Sequence, residues 1–397
     1  MLTAEENQVL TRIGPGTPAG DLLRRYWLPF AVARGLTDAN PTKFVRLLGE
    51  DLVLFRDRSG NVGLIGDHCA HRGASLLYGR VEERGISCAY HGWLYDTHGN
   101  CLETPAEPAD SLFRLTVRQK AYPVVRFLDL YWAYMGPEPV PVLPRYDLWV
   151  RKDGRHRIYV QPVLDCNWLQ PMENSVDPAH SRVLHADAAY RRGDGPPLAN
   201  TTRGTTDDVE HFDFSELPIG IMKKRVSKNG HVDQHPLIFP NILRHGNDTQ
   251  IRVPIDDTHT WVVFVNFEPN EDGSIVEDEG QLPVDYLGPY KEPAESLHPF
   301  THFTMLDVQY QDHMAWETQG PIADRSVERL ATSDRGVAMF RDMVRREIEK
   351  VQLGEDPMCV VRDPDHAMID TNHTEQMREW AMWARQRRRR EAVAGSV

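Results

Sequence analysis

The chain has 397 residues, 41% of them hydrophobic, and its 45 basic and 58 acidic residues give a formal net charge of −13. This length suffices for two domains, and the acidic balance disfavours nucleic acid as a partner. No apolar run approaches the ~18 residues that a membrane-spanning helix needs. The N-terminal segment lacks the basic-then-apolar layout of a signal peptide. We therefore expect a cytoplasmic protein with no membrane partner.

The first third of the sequence changes from helical to β character. Residues 3–12 are predicted to be helical, and Thr17-Pro18 supplies an N-cap and a first helical position for a second helix that ends near Tyr26. Short β-type runs separated by polar turns follow, at Phe44–Leu48, Leu52–Phe55 and Val62–Ile65. The pattern continues to about Met135 and predicts a small β domain over residues 28–136.

Within this region two short loops each offer one thiolate and one imidazole. Cys69-x-His71 and, further along, Cys88-x-x-His91 are both ligand pairs. Two Cys and two His are the ligands of a Rieske [2Fe–2S] cluster, in which histidines replace two thiolates on one iron. A structural zinc site takes the same ligands, but zinc fingers typically space a Cys pair and then a His pair. The mixed loops therefore favour the cluster.

The remaining cysteines do not indicate a disulfide framework. Cys101, Cys166 and Cys359 are scattered and odd in number. We expect them to be buried free thiols.

The loop sequences resemble the Rieske domain of Rieske non-heme iron oxygenases. The match runs through C-x-H-R-G-A-x-L from Cys69 and C-x-Y-H-G-W-x-Y-D from Cys88. The resemblance implies that Cys69, His71, Cys88 and His91 bind a [2Fe–2S] cluster.

The second part of the chain begins after a proline-rich connector at residues 136–141, where neither a helix nor a central strand can continue. The pattern then predicts a helical stretch around Trp168–His185, and a helix over Gly336–Val351 capped by Ser333 or Asp334. Strands are predicted at Ile158–Val163, Gln250–Val253 and Trp261–Phe267. We assign residues 137–397 to an α+β catalytic domain, with helices of residues 1–27 packing on it. The family resemblance implies an antiparallel sheet around a central helix, of the helix-grip type.

Two histidines in the helical stretch are separated by five positions. On an ideal helix His180 and His185 would point about 140° apart, so a shared metal requires the helix to end, widen or bend between them. Pro178 is placed to disturb it, because proline disfavours helical geometry at the preceding Asp177. Asp177 and His180 are separated by about 300° on the same helix and share a face.

Two imidazoles and one carboxylate on one side of an iron(II) form the facial triad of non-heme oxygenases. Asp177-x-x-His180-x4-His185 resembles the catalytic motif of the same family. The resemblance implies that the third ligand comes from far downstream, where Asp312 is the best match and Asp307 a weaker one. It also implies that Asp177 accepts a hydrogen bond from one iron histidine and links it to a cluster histidine of a neighbouring subunit. Asn174 is expected near the iron.

Further segments resemble the branch that contains phthalate dioxygenase and aryl O-demethylases, at residues 5–7, 14–18, 319–325 and 332–336. That branch implies homotrimers or stacked trimers, and electrons from a separate NAD(P)H-dependent reductase that contains flavin and an iron–sulfur centre. The chain has no Gly-rich dinucleotide-binding turn, which agrees with an external reductase.

The sequence leaves the reaction open. The branch implies an aromatic and usually carboxylated substrate, oxidised by ring cis-dihydroxylation, by monooxygenation, or by O-demethylation with release of formaldehyde. A substrate carboxylate would suit an arginine, because guanidinium binds two oxygens at once. The resemblance implies Arg244 as the first candidate, since a similar arginine binds the substrate carboxylate in phthalate dioxygenase, and Arg203 is the weaker second candidate. Ser181 is a candidate hydrogen-bonding partner. An electron-carrier protein without oxygenase activity is the alternative of another class, although it leaves the histidine pair unexplained.

Overall fold

The computed structural model describes residues 1–185, 206–291 and 308–371. It divides the chain into two compact units, one of Ile13–Pro141 and one of Met1–Arg12 with Val142–Val397. The boundary falls at the end of the proline-rich connector. Residues 13–27, which were expected to pack on the catalytic domain, group instead with the smaller unit.

The smaller unit is built from three antiparallel sheets. The first contains Trp27–Val32, Leu130–Tyr134 and Val124–Phe127, in that order. The second contains Thr42–Leu47, Glu50–Arg56, Val62–Gly66 and Ala121–Tyr122. The third contains Arg80–Glu82, Gly85–Ser87, Leu94–Tyr95 and Cys101–Glu103. A short helix, Pro18–Leu23, precedes them and is capped by the Thr17 hydroxyl, which accepts from the Gly20 amide. The predicted strands are present, each with slightly different ends.

The core of this unit lies directly beneath the two cysteine-containing loops. Buried side chains from the second and third sheets, among them Phe55, Ile65 and Tyr95, pack around Cys69 and Cys88. The loops therefore rest on a close-packed apolar base, which restricts the positions of the two sulfur atoms.

The larger unit contains an eight-stranded sheet within the described residues. Its strand order is Val209–Leu217, Gly220–Ser227, Val232–Ile238, Ile242–His245, Asp248–Asp256, His259–Pro269, Gly154–Leu164 and Val284–Tyr286. The sheet is antiparallel, as expected, apart from its last strand, which pairs parallel to Gly154–Leu164. The first three strands were not predicted, since many of their side chains are polar and only partly buried.

The described part of the larger unit also contains α-helices. They are Ala4–Thr11, Leu169–Ser175, His180–Val183, Val308–Glu317 and Arg335–Gln352. The last has Asp334 at its N-cap position and buries Val337, Phe340, Val344 and Ile348 on one face, at the spacing of an amphipathic helix. Phe340 contacts Trp168 and Phe239. A short parallel ladder joins Arg145–Tyr146 to Met368–Ile369.

Candidate active site

The two cluster loops share one backbone design. The Gly73 amide donates to Cys69 O at 2.8 Å, and the Gly92 amide donates to Cys88 O at 2.9 Å. Both glycines have positive φ, 73° and 75°, which only glycine adopts without strain. Each glycine therefore turns the chain back immediately after its ligand pair.

The four predicted cluster residues converge. The side chains of Cys69 and Cys88 are buried, with 3% and 2% exposure, whereas His71 is exposed and the ring centroids of His71 and His91 lie 4.6 Å apart. Burial raises the pKa of the Cys69 thiol, and the neighbouring Cys88 raises it further. Two buried thiols and two imidazoles on the outer side fit a Rieske cluster, with the sulfur ligands inside and the nitrogen ligands outside.

Neighbouring side chains fix these loops. Tyr95 Oη lies 3.2 Å from Cys69 Sγ, and the Trp93 indole stacks on the His71 ring with centroids 4.2 Å apart. The Gln119 carboxamide accepts from the Ala70 amide at 2.9 Å and donates to two carbonyl oxygens of the same segment. The sequence analysis missed Gln119, because it lies far from the motif in the chain.

In the larger unit the helical stretch breaks between the two histidines, as their spacing required for a shared metal. One helix ends at Ser175, and a second covers only His180–Val183, so the helix that carries His180 ends before His185. The imidazole rings of His180 and His185 then lie 5.2 Å apart, nearly perpendicular to each other.

Asp312 meets both histidines from the helix Val308–Glu317. Its Oδ1 lies 3.2 Å from His185 Nε2 and 3.8 Å from His180 Nε2. One possible ligand atom from each of His180, His185 and Asp312 lies within 4.8 Å of the other two, so these three residues could hold a metal ion. Asn174 Nδ2 also reaches Asp312 Oδ1, at 3.4 Å. The weaker candidate Asp307 lies outside the described residues.

The outer nitrogen of each imidazole faces an acceptor. Gln311 Oε1 lies 2.8 Å from His185 Nδ1. Asp177 Oδ2 lies 3.3 Å from His180 Nδ1, a close contact without good hydrogen-bond alignment. Burial raises the pKa of Asp177, but the contact with His180 outweighs it and lowers the pKa below its usual value. Both Nε2 atoms are thus turned toward Asp312, which is the orientation a metal requires. This donor set fits the facial triad of a non-heme iron(II).

The predicted substrate residues are placed differently from expectation. Arg244 is 2% exposed, and its guanidinium donates to Asp147, Thr371 and Gly246 O. This corrects the expectation that Arg244 binds a substrate carboxylate, since its charge is already neutralised in the fold.

Ser181 is also occupied by the fold. Its hydroxyl donates to Pro178 O at 3.0 Å and accepts from Arg225 at 2.6 Å. It therefore fastens the turn that precedes His185. Arg203, the second candidate, lies outside the described residues.

Comparisons with known proteins agree with this geometry. Residues 26–123 match the model of the Rieske [2Fe-2S] domain, and residues 297–384 match that of the LigXa C-terminal domain. The chain is 40% identical to the 5,5'-dehydrodivanillate O-demethylase oxygenase subunit of Sphingobium sp., over 92% of this chain and 84% of that protein. The chain belongs to the Rieske non-heme iron oxygenases.

Other Rieske oxygenases extend the comparison. The phthalate 4,5-dioxygenase oxygenase subunit of Pseudomonas putida is 32% identical over 89% of this chain and 88% of its own length. A solved structure of the carbazole 1,9a-dioxygenase oxygenase in complex with its ferredoxin has a similar fold, with a TM-score of 0.61 and 18% sequence identity. The match covers 87% of this chain and 95% of that one.

Family membership fixes the cofactors and the coarse role. The protein is an oxygenase subunit that uses a [2Fe–2S] cluster and a mononuclear non-heme iron, and it works with a separate electron-supplying protein. Among the described residues no helix is long and apolar enough to cross a membrane.

Proposed function

We propose that this protein is a terminal oxygenase that oxidises an aromatic carboxylate with O₂. The observation that carries the proposal is the arrangement of His180, His185 and Asp312, whose ligand atoms converge while each imidazole faces an acceptor on its far side. When bound, the cluster supplies an electron and the iron supplies the site of O₂ activation.

In this proposal the predicted residues of the two metal centres have defined tasks. Cys69, His71, Cys88 and His91 hold the cluster. His180, His185 and Asp312 hold the iron. Asp177 holds the His180 ring and connects it to the electron supply from a neighbouring subunit. Asn174, through its contact with Asp312 Oδ1, fixes the direction of the carboxylate.

The substrate class is supported by the named activities of two relatives. One is a demethylase of dehydrodivanillate and another a dioxygenase of phthalate, and both of these substrates are aromatic carboxylates. The higher identity to the O-demethylase favours removal of a methyl group from an aryl ether, which releases formaldehyde. Ring cis-dihydroxylation is the second candidate, because the same donor set serves both reactions.

The assembly and partners complete the proposal. We expect a cytoplasmic homotrimer or stacked trimers, so that an electron crosses from the cluster of one subunit to the iron of the next. The electrons come from an NAD(P)H-dependent reductase with flavin and an iron–sulfur centre.

The test combines iron analysis with turnover. A pure electron carrier predicts about two irons per chain, whereas an oxygenase predicts about three. The purified protein, supplied with a surrogate reductase and NADH, is screened with phthalate, benzoate and methoxylated benzoates for O₂ uptake and formaldehyde. We expect O₂ uptake with at least one acid, accompanied by formaldehyde for a methoxylated one. A diol without formaldehyde would replace demethylation by dihydroxylation.

Asp312→Ala is the matched test of the iron site. It should remove the mononuclear iron and turnover while the visible absorbance of the cluster stays unchanged. A variant that keeps all of its iron and its activity would show that the ligand assignment is wrong.

A further inference from the structure

Two buried cationic side chains of the larger unit, unlike its other buried cations, have no carboxylate partner among the described residues. Lys223 and Arg252 are 8% and 1% exposed. Other buried arginines pair with carboxylates, as Arg325 does with Glu173 and Arg244 with Asp147. Among residues 1–185, 206–291 and 308–371, no carboxylate oxygen lies within ion-pair distance of either Lys223 or Arg252.

The hydrogen bonds of Arg252 leave its charge unpaired. Its Nη1 donates to Gln250 O at 2.7 Å and its Nη2 to Gln250 Oε1 at 2.8 Å, both uncharged acceptors. Its Nε is buried without a partner in the described part of the chain. The guanidinium carbon lies 6.0 Å from the centroid of the Trp316 ring. A buried guanidinium held only by neutral groups is costly unless an anion joins it.

Arg252 lies beside the helix that carries Asp312, because its guanidinium carbon is near the ring of Trp316, one turn further along that helix. Lys223 interacts electrostatically with Asp177, Asp233 and Asp312, and Arg252 interacts with Asp312. Burial lowers the pKa of Lys223 to about 8 and that of Arg252 to about 9, and in both cases Asp312 opposes the change. Since both values lie above neutral pH, both groups are mainly cationic there.

The charges around the iron site do not balance. Lys223, Arg252 and an iron(II) together bring more positive charge than Asp177 and Asp312 neutralise. Arg225 and Asp233 form a pair of their own and do not change this excess. In a low-dielectric interior such an excess strongly favours binding of an anion.

We propose that Lys223 and Arg252 bind the carboxylate of the aromatic substrate. This assignment rests on the proposed function and gives the substrate's anionic group a binding site that Arg244 cannot provide. Because the two cations approach from separate strands, Gly220–Ser227 and Asp248–Asp256, they also restrict how the substrate ring is oriented beside the iron.

The experiment compares acids with their neutral amides. Benzoate, phthalate and 4-methoxybenzoate, and the amide of each, are titrated into the anaerobic holoenzyme by calorimetry. Loss of one partner from a buried charge pair weakens binding by about 30-fold or more. We expect Lys223→Met to weaken acid binding by that factor and to leave amide binding within about threefold of wild type. Lys224→Met is the matched control, because alternation along the strand turns Lys224 to the opposite face of the sheet.

Each outcome decides the assignment. Cluster absorbance and iron content first establish that the variant is intact; should Lys223→Met lack them, Arg252→Gln is tested with the same pairs of compounds. Equal losses for acid and amide would indicate a structural role and overturn the proposal, as would unchanged acid binding. If wild type binds none of the acids, the proposed substrate class fails and this assignment fails with it. If wild type binds them and the variants are unaffected, only the assignment fails.

Discussion

Gln311 fixes the orientation of the His185 ring, so that Nε2 faces the iron site. Replacing Gln311 with leucine tests this role. The carboxamide is 3% exposed, and its Oε1 lies 2.8 Å from His185 Nδ1. Leucine has a similar volume but accepts no hydrogen bond. The Nδ1–H of a metal-binding His185 would then be buried without a partner, which costs about 1–3 kcal/mol.

This cost converts into a measurable loss of iron. A penalty of about 1.4 kcal/mol corresponds to a tenfold change in affinity, and loss of such an outer contact typically weakens metal binding by about 10–100-fold. We therefore expect Gln311→Leu to lose its mononuclear iron at a chelator concentration about 10–100-fold lower than wild type. The measurement is an anaerobic chelator titration that follows iron content, with the visible absorbance of the cluster as the internal reference.

A conservative variant separates the hydrogen bond from packing. Gln311→Glu keeps an acceptor at the same distance and should hold iron at least as tightly as wild type. If Gln311→Leu released iron at the same chelator concentration as wild type, the reasoning that this contact orients His185 would be refuted.

Three further predictions concern electron delivery, a buried ion pair and pH. Asp177→Ala should keep both metal centres, by iron analysis and absorbance, yet lower turnover by about 100-fold; undiminished turnover would contradict its proposed role. Glu173→Ala leaves the 1% exposed Arg325 side chain without its carboxylate, so the free energy of unfolding, measured with denaturant, should fall by about 3–5 kcal/mol. The control is Glu216→Ala, which removes an exposed ion pair and should lower it by less than about 1 kcal/mol. Burial lowers the pKa of His245 from 6.5 to about 3. As pH falls below about 6.5, His245 is therefore protonated in the unfolded chain but not in the folded protein, and the free energy of unfolding decreases. The loss from this group is about 2 kcal/mol at pH 5, and unfolding curves at pH 7 and pH 5 should differ less for His245→Gln than for wild type.

The sequence by itself determined the features that depend on local spacing. Each cluster loop places a cysteine and a histidine within a few residues and follows them with a glycine, which turns the chain back after the ligand pair. The end of the helix between His180 and His185 was likewise foreseeable, because two imidazoles five positions apart cannot share a face of an unbroken helix. The long amphipathic helix Arg335–Gln352 follows from the period of its apolar residues.

Only the tertiary structure decided which distant side chains meet. Asp312 reaches both histidines, and Gln311 reaches His185, because one helix packs beside the break between two others. Whether Arg244 and Arg252 have a carboxylate partner was decided in the same way. Arg244 matched the expected substrate residue in sequence, but the fold places Asp147 against it, whereas Arg252 is left among neutral acceptors. Local sequence patterns do not reveal such pairings, because the pairings depend on strand register and on which side chains are buried when the chain folds.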